Sequence, residues 1–278
     1  LLYLSTIAYL DPSQRPAALR SPDLQLFFSE LLEEHETAHQ WFGNLVIAAG
    51  YQDEWLMESL ANYAALMFLE KKRGPRAVES VLEDYRKRLL RKGDGGATVE
   101  SAGPIVWGVR LTSMTPEAWR AITYEKGSWI IHMLRYRMGD ESFRAMLAEL
   151  LKRYRLQPIT TEQFRKLAAG FLPAKSRDPR LEEFFEAWVY GTGVPTLALN
   201  HAVKPRGKEF RLTGTLAQTQ VDEDFSVDVP IEIQFARGAP MVHWVRSSTD
   251  PVNFAVTLPQ RPVRVTLSPG NAILAQKR

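Results

Sequence analysis

The chain has 278 residues, of which 45% are hydrophobic and 24% charged, the make-up of an ordinary globular protein long enough for one large domain and a small one. Its net charge of +3, with no basic run interleaved with aromatic residues, argues against a nucleic-acid partner. Cysteine is absent, so there is no disulfide framework and any bound metal is held by nitrogen and oxygen; cytoplasm and periplasm are both compatible with that usage.

The opening "LLYLSTIAYL" is apolar but interrupted by Ser5 and Thr6 and has no basic flank, so it reads as a strand rather than a signal peptide or a transmembrane helix. The first residue is Leu rather than Met, and the expectation is a piece excised from a longer protein, with any signal or anchor lying outside it. Ser21 and Pro22 form a helix-start signal, and Leu24, Phe27, Phe28, Leu31 and Leu32 then recur at helical spacing up to a stop at Gly43. Near the end of that helix stands His35-Glu36-Thr37-Ala38-His39. Residues four apart share one helix face, so the two imidazoles converge on a point that Glu36 adjoins. This is the H-E-x-x-H pattern, in which two histidines bind zinc and the glutamate is a general base, or else a chance coincidence of three residue types.

A catalytic zinc site needs a third protein ligand and a position for water. The next segment, "DEWLMESLANYAALMFLEKKRG", reads as a helix from Asp53 or Glu54 to Gly74, with an apolar face of Trp55, Leu56, Leu60, Tyr63, Met67 and Phe68. Glu58 is either a carboxylate facing the first helix or an ordinary solvated glutamate. Asp53 reads as an N-cap, with orientation of a metal-bound imidazole as the alternative.

A further amphipathic helix starts at Pro75, and residues 93–114 read as an extended loop. Helices follow over about 116–138, 140–155, 160–170 and 178–190. His132 falls in an apolar helix and reads as a packing residue. From Thr196 the texture changes to short alternating segments between turn signals, an antiparallel β domain that contains His201 and His243. Neither histidine is assigned a role.

"HETAHQWFGN" followed by "DEWLMESLANY" resembles the gluzincin zinc aminopeptidases of the aminopeptidase N and leukotriene-hydrolase type. In that family the ligand glutamate follows the second histidine after eighteen residues, the gap between His39 and Glu58. The family's W-L-N-E-G is here Trp55-Leu56-Met57-Glu58-Ser59, which keeps the ligand and changes its two neighbours. "ITYEKGSW" resembles the family's Y-x-K-G segment, whose tyrosine donates to the oxyanion of the tetrahedral intermediate; here it is Tyr124.

The resemblance implies one zinc per chain on His35, His39 and Glu58, with Glu36 and Tyr124 catalytic. It implies a mainly α, α+β chain: a thermolysin-like helical peptidase domain over 1–195 and a small antiparallel β-sandwich over 196–278. It also implies a peptide or protein substrate, and an N-terminal region of the parent protein packed on the catalytic domain. The family's amine-recognising G-x-M-E-N motif does not occur in these residues, so exopeptidase action is implied for the parent protein. Endopeptidase or non-peptide hydrolase activity, or a non-catalytic binding module, remain the alternatives.

Overall fold

The computed structural model describes residues 10–11, 13–16, 30–93, 95–114 and 116–278. The expected opening strand and the expected helix start at Ser21 and Pro22 lie outside the described residues. The chain divides into two compact units, Leu1–Ala174 and Lys175–Arg278.

In the first unit, helix α1 (Leu32–Ala38) is followed by strand β1 (Val46–Ala48) and the long helix α2 (Glu54–Arg73). Trp55, Leu56, Leu60, Tyr63, Leu66 and Leu69 of α2 are all buried. A helix apolar around most of its circumference takes the centre of a domain, and α2 is the one the others pack around. The expected apolar face is rotated slightly: Phe68 is 48% exposed, and Leu66 and Leu69 take the inward positions.

Helix α2 ends at Gly74, whose φ of +84° is open to glycine at little cost, and Pro75 occupies the first turn of helix α3 (Pro75–Leu89). Residues 93–114 are not the extended loop expected from their composition. They form 3-10 turns over Glu100–Ala102 and Ile105–Ser113, the latter broken by a kink at Gly108 (φ +52°), with Ile105 and Leu111 fully buried. Helix α4 (Pro116–Arg120) runs through a π-helical turn (Ala121–Lys126) into helix α5 (Gly127–Met138). Helix α6 (Asp140–Arg153), strand β2 (Gln157–Ile159) and helix α7 (Thr161–Ala169) complete the unit.

Strands β1 and β2 pair in parallel, Val46 opposite Gln157 and Ala48 opposite Ile159. The sequence reading had no strand at either place. Trp55 of α2 and Trp129 of α5 are fully buried, and each indole N–H finds an acceptor, Thr161 Oγ1 and the Leu82 carbonyl, both at 3.0 Å. Truncating a buried tryptophan to alanine costs about 3–5 kcal/mol, so these two residues hold much of the helical packing.

In the second unit, a short helix α8 (Glu182–Phe185) continues into a π-helical turn (Glu186–Tyr190), and seven strands follow. Strands β3 (Thr196–Arg206) and β4 (Glu209–Thr219) form a long hairpin, with β7 (Val252–Leu258) and β9 (Gln276–Lys277) on its flanks. Strand β5 (Asp228–Phe235) is central to the other sheet, between β6 (Met241–Arg246) and β8 (Pro262–Leu267). Leu212 and Leu258 of the first sheet and Ile233 of the second share one core cluster. The pairings are antiparallel except for the short β3–β9 contact. The units divide at 174/175, upstream of the texture change at Thr196. The last helical segment goes with the strands, because Trp188 packs edge-on to Phe225 at 5.6 Å and Arg246 pairs with Glu183 at 2.6 Å.

Asp53 stands at the N-cap position of α2 but makes no cap hydrogen bond there. Its Oδ1 accepts from the backbone N–H of Thr161 at 2.6 Å, at the start of α7, where Thr160 and Gln163 form a reciprocal capping box. Asp53 therefore satisfies a helix-terminal donor 108 residues away. Asp53→Ala is expected to lower the unfolding free energy by about 1–2 kcal/mol in a denaturant titration; an unchanged unfolding free energy would show that the contact with Thr161 does not support the start of α7.

Candidate metal centre

Helices α1 and α2 lie antiparallel. Glu30, just before α1, pairs with Lys72 and Arg73 at the far end of α2, at 3.3 and 2.5 Å. At the opposite end, His35 and His39 meet Glu58, which lies one turn into α2. Nε2 of His35 and Nε2 of His39 are 3.0 Å apart, and each is 3.5 Å from Oε2 of Glu58. Among the described residues this is the one group of three or more metal-ligating side chains that converge.

The triangle fits a small tetrahedral ion. Bonds of about 2.0–2.1 Å at tetrahedral angles separate ligand atoms by about 3.3–3.4 Å, close to the three edges observed. The donor chemistry fits as well. Nδ1 of His39 lies 2.7 Å from the Phe42 carbonyl, an acceptor, so Nδ1 carries the proton and the Nε2 lone pair faces Glu58 and His35. The turn that delivers that carbonyl needs Gly43. Its φ is +116°, and a Cβ there would lie 3.2 Å from His39 Nδ1. Sequence reading took Gly43 only as a helix stop; a glycine four residues past the second histidine was the signal for this support.

The His35 side chain is 4% exposed, while those of His39 and Glu58 are 20% and 27% exposed, so the group opens to solvent on one side. Burial by itself would raise the Glu58 carboxyl, but hydrogen bonds and charge from His35 and His39 outweigh it and hold it at about 2. Burial would lower the His39 imidazole; contact with Glu58, the Phe42 carbonyl and the charge of Glu36 raise it instead. Carboxylate and imidazole thus favour each other's charged forms, and a bound cation would displace the imidazole's Nε2 proton and take its place beside the carboxylate.

Glu36 is partly buried beside His35, and its charge reaches both His39 and Tyr124. Tyr124 sits in the π-helical turn, its ring 5.8 Å from that of His35 and packed edge-on against Trp119. Burial, then the Glu58 carboxylate, push its phenol above the ordinary range, so it stays protonated and able to donate. All five residues singled out in the sequence therefore lie around one point. His132 does not: its Nδ1 meets Tyr63 OH at 2.9 Å, between α5 and α2. His243 packs on Phe254, and His201 lies exposed on β3.

Residues 29–188 match the model of the "Peptidase family M1 domain", more than half of the chain. The chain belongs to peptidase family M1. It is 27% identical over 206 residues to aminopeptidase RNPEPL1 of Homo sapiens, a match covering 68% of this chain and 28% of that protein. Aminopeptidase N of Lactococcus lactis subsp. lactis is 30% identical over 176 residues, with 60% of this chain and 19% of that one covered. The chain thus spans less than a third of either relative's length. Aminopeptidase A of Legionella pneumophila shares the fold, with a TM-score of 0.64 at 19% identity over 95% of this chain and 28% of that one.

Replacing Glu58 with Ala should remove one corner of the triangle. Elemental analysis after dialysis should show near-stoichiometric zinc for the parent chain and a small fraction of that for the variant. Equal zinc content would assign the third ligand to another residue.

Proposed function

We propose that this protein is a zinc metallopeptidase of the aminopeptidase type, hydrolysing N-terminal peptide bonds of peptide or protein substrates. The observation that supports it most is the His35–His39–Glu58 triangle of tetrahedral-ion size with Glu36 and Tyr124 on its rim. In this reading residues 1–195 are the thermolysin-like catalytic domain and the strands over 196–278 form a β-sandwich.

His35, His39 and Glu58 would hold the zinc, two neutral imidazoles and one carboxylate leaving net positive charge on a divalent ion. When bound, zinc supplies a Lewis acid that polarises the scissile carbonyl and lowers the pKa of water. The remaining steps belong to the chain. Glu36 accepts a proton from the attacking water and returns it to the leaving amine, a role suited to a carboxylate beside the ligands rather than among them. Tyr124 donates its phenolic hydrogen to the carbonyl oxygen as negative charge develops there. A protonated phenol in a partly desolvated position stabilises that charge more than water does. The Phe42 carbonyl holds the proton of His39 on Nδ1, which leaves Nε2 as the nitrogen that would bind the ion.

Two variants separate binding from chemistry. Glu36→Gln should retain zinc and lose about a hundredfold to ten-thousandfold in turnover on aminoacyl substrates; wild-type turnover would contradict the mechanism. Tyr124→Phe should lower kcat by about a hundredfold to a thousandfold with little change in KM. A change confined to KM would make Tyr124 a substrate-binding residue.

A further inference from the structure

Four successive residues of the π-helical turn are each held from outside it. Ser59 Oγ donates to the Thr123 carbonyl at 2.9 Å, and Asn62 Nδ2 to the Tyr124 carbonyl at 3.4 Å. Arg88 Nε donates to both oxygens of Glu125, at 2.9 and 3.0 Å, and Lys126 Nζ to Glu100 at 2.7 Å. The first two anchors come from α2, the helix that carries Glu58. Ser59 is the next residue after that carboxylate, and Asn62 lies three further on, on the same face.

Neither residue is explained by helix formation. Serine and asparagine are neutral to unfavourable in helix interiors, and burying their polar groups is costly without partners. Both are buried nonetheless, Ser59 completely. The π-helical turn accounts for them, because its widened ladder departs from regular carbonyl pairing and its carbonyls gain from outside donors. The opposite wall is cut to match. A Cβ on Gly127 would lie 1.8 Å from Ser59 Oγ, so the hydroxyl has room only because residue 127 has no side chain. Asn62 Nδ2 also reaches Ser128 Oγ at 2.8 Å and Tyr85 OH at 3.1 Å, extending the seam along α5 and α3.

We propose that Ser59, supported by Asn62, is a positioning residue that sets the place of the Tyr124 phenol relative to Glu58. Ser59 is covalently next to one end of that distance. It is hydrogen-bonded to the carbonyl that leads into the other. Without the bond, α2 and the π-helical turn can slide against each other, and the phenol no longer meets the oxygen on which charge develops. The inference rests on the proposed role of Tyr124 and names what holds that residue in register.

The test is a double-mutant cycle on the zinc-loaded protein with Ser59→Ala, Tyr124→Phe and the pair, each checked for zinc content and melting temperature. Ser59→Ala should lower kcat about ten- to a hundredfold at nearly constant KM, and should cause no further loss in the Tyr124→Phe background. Affinity for a phosphinate peptide, a stable tetrahedral anion, should fall in both single variants and no further in the double. If Tyr124→Phe is slow but Ser59→Ala is harmless, or its loss adds fully, the positioning role is overturned and the Tyr124 reading stands. If Tyr124→Phe itself keeps the wild-type rate, the Tyr124 reading fails and the inference with it. Should Ser59→Ala not fold, Asn62→Ser, whose side chain is too short to reach the Tyr124 carbonyl, enters the same cycle with the same outcomes.

Discussion

The antiparallel packing of α1 on α2 is the constraint on which the rest depends. Two histidines one helical turn apart can converge on their own, but a carboxylate separated from the second by eighteen residues reaches them only if the second helix returns alongside the first. The Glu30 pairs with Lys72 and Arg73 close one end of that pairing, and the triangle closes the other. The ion pairs at the exposed end contribute little by themselves. The buried face of α2, from Trp55 to Leu69, supplies most of the stabilisation, so the distance between Glu58 and the imidazoles is set by core packing rather than by the ligands.

Around this pairing the chain places charge in unfavourable surroundings and compensates it locally. Lys126 and Glu100 are 0% and 1% exposed, and Glu125 is nearly buried against Arg88. Such pairs add little net stability over apolar substitutes, but removing one partner costs about 3–5 kcal/mol because the other is left uncompensated. Their effect is to fix one arrangement of the π-helical turn. The helix that carries Glu58 is fixed by packing and the turn that carries Tyr124 by polar contacts, so the two do not shift independently.

Much of the site was legible because its information is local. The spacing of His35, Glu36 and His39, the gap to Glu58, and the Tyr-x-Lys-Gly run around Tyr124 are all readable within short windows. The helix from Glu54 to Arg73 was readable because Gly74 and Pro75 end it and begin the next. What sequence reading missed is long-range. The β1–β2 pair joins two strands of three residues, one containing Pro158, across more than a hundred positions. Asp53 serves a helix that begins 108 residues later in the chain. The π-helical turn carries the same apolar periodicity as the helices on either side, so its extra width left no trace in the pattern. The 3-10 segments over 100–113 hide behind glycine and proline content that otherwise marks a loop. Serine at position 59 read as a departure from a motif that leaves the ligand in place, and only its contact with Thr123 across the helix interface gives it a structural role.

The central claim is that three named atoms form the ligand set of one zinc ion. Anomalous diffraction collected on either side of the zinc absorption edge, from crystals of the zinc-loaded chain, tests it most directly. The account predicts a single anomalous peak about 2.0–2.1 Å from Nε2 of His35, Nε2 of His39 and a carboxylate oxygen of Glu58, with the imidazole of His39 still bonded to the Phe42 carbonyl. A peak that excludes any of the three, or zinc bound elsewhere with the triangle empty, would contradict it.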